Sequence, residues 1–446
     1  MEGIDRQLQA AIDARTAGIG GGARPAGVGT AGGSIADRGT RLNESPATVN
    51  PGAGELAYVK AAADDAVAER LSGYAGREIA PTGEGVRSVG LAEALSMAQE
   101  TGREFRTAEE EYALAGIALL IEEHRWSPQL FNDTSVSVGA EGDGGRFEPA
   151  LSVINTLRAS QRLPFGGEVE ARWVTSALDQ LREVSSGGYA SSSEIAVRAD
   201  VPLMRGAGAV AREELIQSRR SMVYAARTFE DFRRRLLVEV AGDYFDLVAQ
   251  LASIGNQERD LEAQRRRNDE VAAKVAGGRL DPFQQQITAN AVRQSEARLA
   301  TLRERYVLSL ERFRVRLGLD PSAGLDIRPV EIELSPPAVT PEAAAAAALE
   351  YRLDLQNRRD QLVDRERAVA NARNDLRADL DVFAEVGLET PEEDATGGLG
   401  VEGDEAFYEA GATLSLPLNR RIERLTLRRA QLLRDRAQRD YEEFRD

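Results

Sequence analysis

The side chains that carry out most protein chemistry are scarce in this sequence. Of its 446 residues none is cysteine and one, His124, is histidine. That excludes thiol nucleophiles, disulfide frameworks and cysteine zinc sites, and the clustered histidines of most catalytic metal centres. His124 ends a helical pattern beside Trp126, where packing or solvation is its simplest role. Gly27-Val28-Gly29-Thr30-Ala31-Gly32 matches G-x-G-x-x-G, but no strand precedes it and no helix opens at it, as a nucleotide site requires. It reads as linker. Glu392, Glu393, Asp394, Glu402 and Asp404 crowd a loop between Glu389 and Glu405; such a loop is solvated or holds a divalent cation. Arg265-Arg266-Arg267 reads as a solvated helix face. These residues yield no catalytic group, no cofactor site and no metal site, and the chain is not expected to be an enzyme.

Composition narrows the classes further. There are 73 acidic and 56 basic residues, a net charge of −17, which argues against a protein that coats nucleic acid by neutralising phosphates. Only Lys60 and Lys274 are lysines, so nearly all the basic residues are arginines. With 42% hydrophobic and 5% aromatic residues, the chain leans towards long helices packed side by side. No apolar run reaches the ~18 residues of a membrane-spanning helix. Met1, Glu2, Asp5 and Arg6 do not open a signal peptide.

The elements that position the remaining side chains follow from periodicity. Residues 1–16 and 56–72 read as short helices, and 17–55 as a Gly/Ala/Pro-rich linker. A helical region runs from Leu91 to Trp126, broken near Gly102, with Leu114, Ala118 and Ile121 on an apolar face. The period then becomes two. Thr134, Val136, Val138 and Ala140 alternate with Ser135, Ser137 and Gly139; Ile195, Val197, Ala199 and Val201 alternate with Glu194, Ala196, Arg198 and Asp200, the mark of strands. Pro202 ends the second of them. One helix is predicted over 205–276. At ~1.5 Å per residue it would be roughly 100 Å long. Its seam is Val240, Tyr244, Leu247, Leu251, Ile254, Leu261, Val271 and Val275, with Glu258, Gln264 and Asn268 as polar positions, the spacing of a coiled coil. Gly277-Gly278-Arg279-Leu280-Asp281-Pro282 turns the chain into a second helix over 283–317, capped by Gly318 and stopped by Pro321. A further helical stretch covers 343–377.

The chain also repeats itself. Val89-Gly90-Leu91-Ala92-Glu93-Ala94 resembles Val339-Thr340-Pro341-Glu342-Ala343-Ala344 at an offset of 250. Val382, Ala384, Val386 and Leu388 form a strand pattern at that offset from Val136, and Tyr408, Ala410, Ala412, Leu414 and Leu416 form another. Val201-Pro202-Leu203 matches Leu416-Pro417-Leu418 at an offset of only 215, so the first copy carries extra sequence between its strands. The extra sequence falls within 146–185, where Leu163-Pro164-Phe165-Gly166-Gly167 looks like a hairpin turn. The domain reading is an N-terminal flexible region (1–85), a first repeat (86–335) and an incomplete second repeat (336–446).

These segments, with Trp126-Ser127-Pro128-Gln129-Leu130-Phe131, Arg316-Leu317-Gly318-Leu319 and Tyr351-Arg352-Leu353-Asp354-Leu355, resemble the TolC-like outer-membrane efflux channel family over about Val86 to Asp446. The resemblance implies a mainly α fold with four β-strands, a homotrimer, and a shared 12-stranded barrel continued by helical hairpins through the periplasm. It also implies a periplasmic adaptor (membrane fusion) protein and an inner-membrane pump as partners, outer-membrane lipid around the barrel, and passive export in a tripartite efflux or type I secretion system. Carried onto this sequence, Gly277, Gly278, Arg279 and Leu280 are the candidate adaptor-contact tip. Arg198 and Asp200 are candidates for the lumen, Pro202 and Pro417 mark the barrel-to-helix junctions, and Phe407 and Tyr408 are girdle candidates. Set against the family, the chain is expected to be truncated, lacking a signal peptide and the final helical hairpin. Two other readings remain, a soluble coiled-coil scaffold and a periplasmic adaptor.

Overall fold

A computed structural model describes residues 87–143, 146–180, 189–329, 339–390 and 405–446, besides Ala10. The short helices read over 1–16 and 56–72, the linker with its G-x-G-x-x-G, and the acidic cluster Glu392, Glu393, Asp394, Glu402 and Asp404 lie outside the described residues. In chain order the elements are β1 (Arg87–Val89), α1 (Leu91–Glu100), α2 (Arg103–His124), β2 (Gln129–Asp143), β3 (Arg146–Arg162), β4 (Glu168–Gln180) and β5 (Tyr189–Pro202). A 3-10 turn (Gly208–Arg212) leads into α3 (Glu213–Ala276), α4 (Pro282–Arg316), β6 (Leu325–Ile327), α5 (Pro341–Tyr351), α6 (Leu353–Asn374), β7 (Asp379–Glu389), β8 (Ala406–Ser415) and α7 (Arg421–Arg445). The chain divides into two compact units, Met1–Leu114 with Ala225–Leu353, and Ala115–Tyr224 with Asp354–Asp446.

The first unit is a helical hairpin with a small parallel β1–β6 ladder, in which Arg87 faces Leu325 and Val89 faces Ile327. Val240, Tyr244, Leu247, Leu251, Ile254 and Leu261 of α3 are buried as the seam predicts, and so are Leu299, Tyr306 and Phe313 of α4. Two of the three polar seam positions are partnered across the hairpin: Glu258 with Arg303 at 2.7 Å, and Asn268 with the Thr288 hydroxyl at 2.9 Å. Arg265, read as solvated, pairs with Glu296 of α4 at 2.7 Å. Tyr112 stacks on Phe229 with ring centroids 5.4 Å apart. Burial raises the phenol pKa of Tyr244 to about 12 and pushes that of Tyr306 up as well.

Both ends of α4 follow from sequence. At its start Asp281 accepts a hydrogen bond from the Phe283 amide, with Pro282 in the first turn. At its end Gly318 takes φ +75°, and Leu319 and Gly318 donate back to the carbonyls of Arg314 and Val315, the Schellman arrangement. A side chain at Gly318 would strike the Thr101 backbone, so glycine is also what lets α4 approach the α1–α2 junction.

The second unit holds one antiparallel sheet in the order β2-β3-β4-β5-β7-β8. The sequence pattern predicts four strands; the sheet has six. The extra sequence assigned to 146–185 is itself β3 and β4, joined at Leu163–Gly167 where Gly166 and Gly167 adopt positive φ. Two helix readings also change. α3 has 64 residues, or roughly 96 Å at ~1.5 Å per residue. It begins at Glu213 instead of 205, because Gly206 and Gly208 adopt positive φ and cannot continue a right-handed helix. The single stretch over 343–377 is two helices, broken where Arg352 is extended at ψ 118°. The first copy breaks at the same place, between Glu100 and Arg103. One common offset carries Leu91, Arg103 and Gln129, which start α1, α2 and β2, onto Pro341, Leu353 and Asp379, which start α5, α6 and β7. Leu114, Ala118 and Ile121 do not form the buried face of α2. They are exposed, and Phe105, Tyr112, Ala113 and Leu119 are buried instead.

Candidate functional site

Register assigns every described strand residue to one of two faces. Asp200 of β5 pairs with Glu168 of β4 and Phe383 of β7, and Arg198 with Glu170 and Glu385. One face therefore carries Asp133, Glu168, Glu170, Glu194, Asp200, Asp379, Asp381, Glu385, Glu389 and Glu409 against Arg158, Arg162, Arg172 and Arg198. Ten carboxylates against four guanidiniums leave it strongly negative among the described side chains. The other face carries Leu130, Val136, Val138, Leu157, Trp173, Ile195, Val197, Val386, Tyr408 and Leu414, all exposed. An exposed apolar face of that breadth marks contact with a partner or with lipid.

The charged face is tied together by an ion chain over three strands. Arg172 of β4 bridges Glu194 at 2.8 Å and Glu385 at 2.5 Å. Arg198 reaches the second Glu385 oxygen at 3.1 Å and Asp200 at 2.8 Å. The Glu385 side chain is only 5% exposed, and its two guanidinium partners supply the pairing that a buried carboxylate needs. Near the sheet edge Arg158 lies between Glu170 at 3.8 Å and Asp133 at 3.9 Å, over the Phe131 ring. Arginine's planar fork suits such bridging better than lysine's point charge, consistent with the near absence of lysine. Aromatic rings fill two glycine gaps on this face. Phe383 lies over Gly411 and Phe407 over Gly387, a packing that steadies glycine in strands. Phe407 and Tyr408 thus part: Phe407 covers Gly387, while Tyr408 is on the apolar face and 90% exposed.

At one end of the sheet, strands become helices. Pro202 is the last residue of β5 and pairs with Asp381. Beyond it the Leu203 amide donates to the Leu380 carbonyl. The Gly206 amide donates to the buried Asn374 side chain at 2.8 Å, and Arg205 pairs with Asp379 at 3.3 Å. The β3–β4 turn packs here too, with the Gly208 amide donating to the Phe165 carbonyl. Pro417 lies just past β8, and its carbonyl accepts from Arg420 at 3.2 Å, which also donates to the Leu376 carbonyl. A crevice of ≈ 640 Å³ opens at this end, with Trp126, Arg162, Arg198, Asp200, Pro202 and Phe383 in its lining.

The predicted hairpin tip is a formed turn. Gly278 takes φ +68°, and the Arg279 and Gly278 amides return to the carbonyls of Lys274 and Val275 at 2.9 Å each. Leu280 and Phe283 are exposed. His124 is exposed, its Nδ1 3.2 Å from the Ser127 hydroxyl, while the Trp126 indole donates to Glu122. Arg198 and Asp200, read as lumen candidates, lie on one face and pair with each other at 2.8 Å. Glu385, Arg172 and Glu194 are the members that sequence reasoning misses as a group. Their available signal is period two, in Glu168, Glu170 and Arg172 against Val169, Ala171 and Trp173. Among the described residues there is no cluster of potential metal ligands, and no helix is long and apolar enough to cross a membrane.

No family model matches the chain, and no curated protein matches it. Solved structures do. The outer membrane protein VceC of Vibrio cholerae is similar at 14% identity and a TM-score of 0.57, over 80% of this chain and 75% of that one. The Campylobacter jejuni CmeC outer membrane channel gives 13% and 0.56, over 79% and 67%. The open-state Neisseria gonorrhoeae MtrE outer membrane channel gives 15% and 0.50, over 79% and 69%. The resemblance to TolC-like channels carried by the sequence motifs holds at the level of the fold.

Proposed function

We propose that this chain, with its TolC-like fold, is the protomer of an outer-membrane export channel. The observation that carries the reading is the sheet: one face broad, apolar and exposed, the other charged, and both edge strands, β2 and β8, left without a neighbour in the described chain. Hydrocarbon tolerates a sheet only when no edge is open, and six strands fall short of the roughly eight that close a barrel. Further copies must complete it, and the resemblance favours three. The apolar face then meets outer-membrane lipid. The charged face, with Arg198 and Asp200, lines the lumen, and Pro202 and Pro417 mark where wall becomes helix.

In this reading α3 and α4 extend on the periplasmic side, and Gly277, Gly278, Arg279 and Leu280 form the tip offered to a periplasmic adaptor and its inner-membrane pump. Cargo passes without chemistry, and the chain is not an enzyme. Two repeats, 86–335 and 336–446, follow a region over 1–85; the common offset between element starts supports that division. A coiled-coil scaffold or an adaptor would have no use for a sheet with one face suited to lipid. Membrane fractionation and crosslinking of the full chain provide the test. The expected result is a detergent-extracted trimer from the outer membrane; a water-soluble monomer would contradict the proposal.

A further inference from the structure

We infer that the β3–β4 hairpin belongs to the channel wall itself, so that each chain contributes six strands and a trimer closes on 18. The inference rests on the channel reading above and concerns how that wall is built.

Three observations carry it. The first is pairing. β3 runs the full length of β2, from Gln129 opposite Ser160 to Asp143 opposite Arg146. β4 runs along β5 from Glu168 opposite Asp200 to Asp179 opposite Tyr189. β2 and β5 therefore have the hairpin between them and no route to each other. The second is the pattern of faces. Leu157 and Trp173 fall on the apolar face and Arg158 and Arg172 on the charged one, so both inserted strands obey the alternation of the strands around them. The third is the ion chain. Arg172, which the insertion supplies, holds Glu194 of β5 and Glu385 of β7, so the charged face is completed by the hairpin.

The closing surface is the pair of sheet edges, and its occupant is a second copy of this chain. Across six antiparallel strands β8 runs opposite to β2, so β8 of one copy meets β2 of the next as an antiparallel pair. Both edges also continue into helices with exposed apolar residues: Ile117 and Ile121 on α2 before β2, and Ile422, Leu425 and Leu432 on α7 after β8. Barrel diameter grows about linearly with strand number, so 18 strands give a wall roughly 1.5 times as wide as 12, in the range that leaves an aqueous channel.

Electron cryomicroscopy of the full chain in lipid nanodiscs counts the strands directly. An 18-stranded wall with β3 and β4 between β2 and β5 is the expected result. A trimer with a 12-stranded wall and the hairpin outside it would overturn the inference and leave the channel reading standing. A chain that forms no membrane-embedded oligomer would overturn both. A second measurement uses the absence of native cysteine. With Ala171→Cys and Val197→Cys introduced together at facing positions of β4 and β5, oxidation of the membrane-inserted protein should abolish thiol labelling. Full labelling after oxidation would contradict the assigned neighbours.

Discussion

Glu385 sits between the guanidinium groups of Arg172 and Arg198 with its side chain almost out of solvent. Its removal strips one charge-assisted partner from each arginine at once. Hydrogen bonds to charged groups contribute about 1.5–3 kcal/mol, so Glu385→Ala is expected to cost about 2 kcal/mol in the unfolding of the detergent-solubilised protein. Glu409→Ala, on the same face but exposed, should stay within about 0.5 kcal/mol. The buried phenols should weaken the helical unit at alkaline pH. Burial raises the folded-state pKa of Tyr244 to about 12 from an ordinary value of 10.0, and that of Tyr306 upwards too. Unfolded tyrosines lose their protons above pH ~10 while the folded ones keep theirs. The stabilising contribution is therefore complete below pH ~10 and is lost as pH rises towards ~12. Denaturant midpoints measured from pH 8 to 12 should fall over that window, and fall less steeply in Tyr306→Phe.

At the scale of elements, two glycines with nearly the same backbone carry different burdens. Gly278 at the hairpin tip and Gly318 at the end of α4 both adopt positive φ, but open space surrounds Gly278 whereas the Thr101 backbone faces Gly318. Gly278→Ala should cost about 1–2 kcal/mol from conformation alone. Gly318→Ala should cost about 1–3 kcal/mol more through collision with a neighbour that cannot swing away. Thermal midpoints of the two variants compare them directly. The helical hairpin is legible in the sequence because its apolar spacing, its Gly-Gly tip and its Asp281-Pro282 cap all point the same way. The start of α3 is not, because apolar spacing continues through Gly206 and Gly208, whose φ angles forbid the helix. Arg198 and Asp200 are legible by alternation on one strand. Glu385 does not join them on sequence alone, because alternation fixes its face but not its register against β5; Arg172 does not, because the hairpin turn read in 146–185 does not by itself place its arms in the sheet.

At the scale of the whole molecule, the proposed pore depends on assembly. The exposed residues Ile121 on α2 and Ile422 on α7 flank the two sheet edges left open among the described residues. Ile121→Asp with Ile422→Asp should dissociate the oligomer on size-exclusion chromatography in detergent while leaving the helical circular dichroism of each chain unchanged. In the proposed channel the charged face lines the lumen, and its ten carboxylates against four guanidiniums among the described side chains should raise the local concentration of cations. A water-filled pore through a membrane should conduct ions, which planar-bilayer recording of the full chain reads out. Stepwise ion conductance with a preference for cations over anions is the expected result. A chain that leaves the bilayer electrically silent at concentrations where it is present as a membrane-inserted oligomer would contradict it.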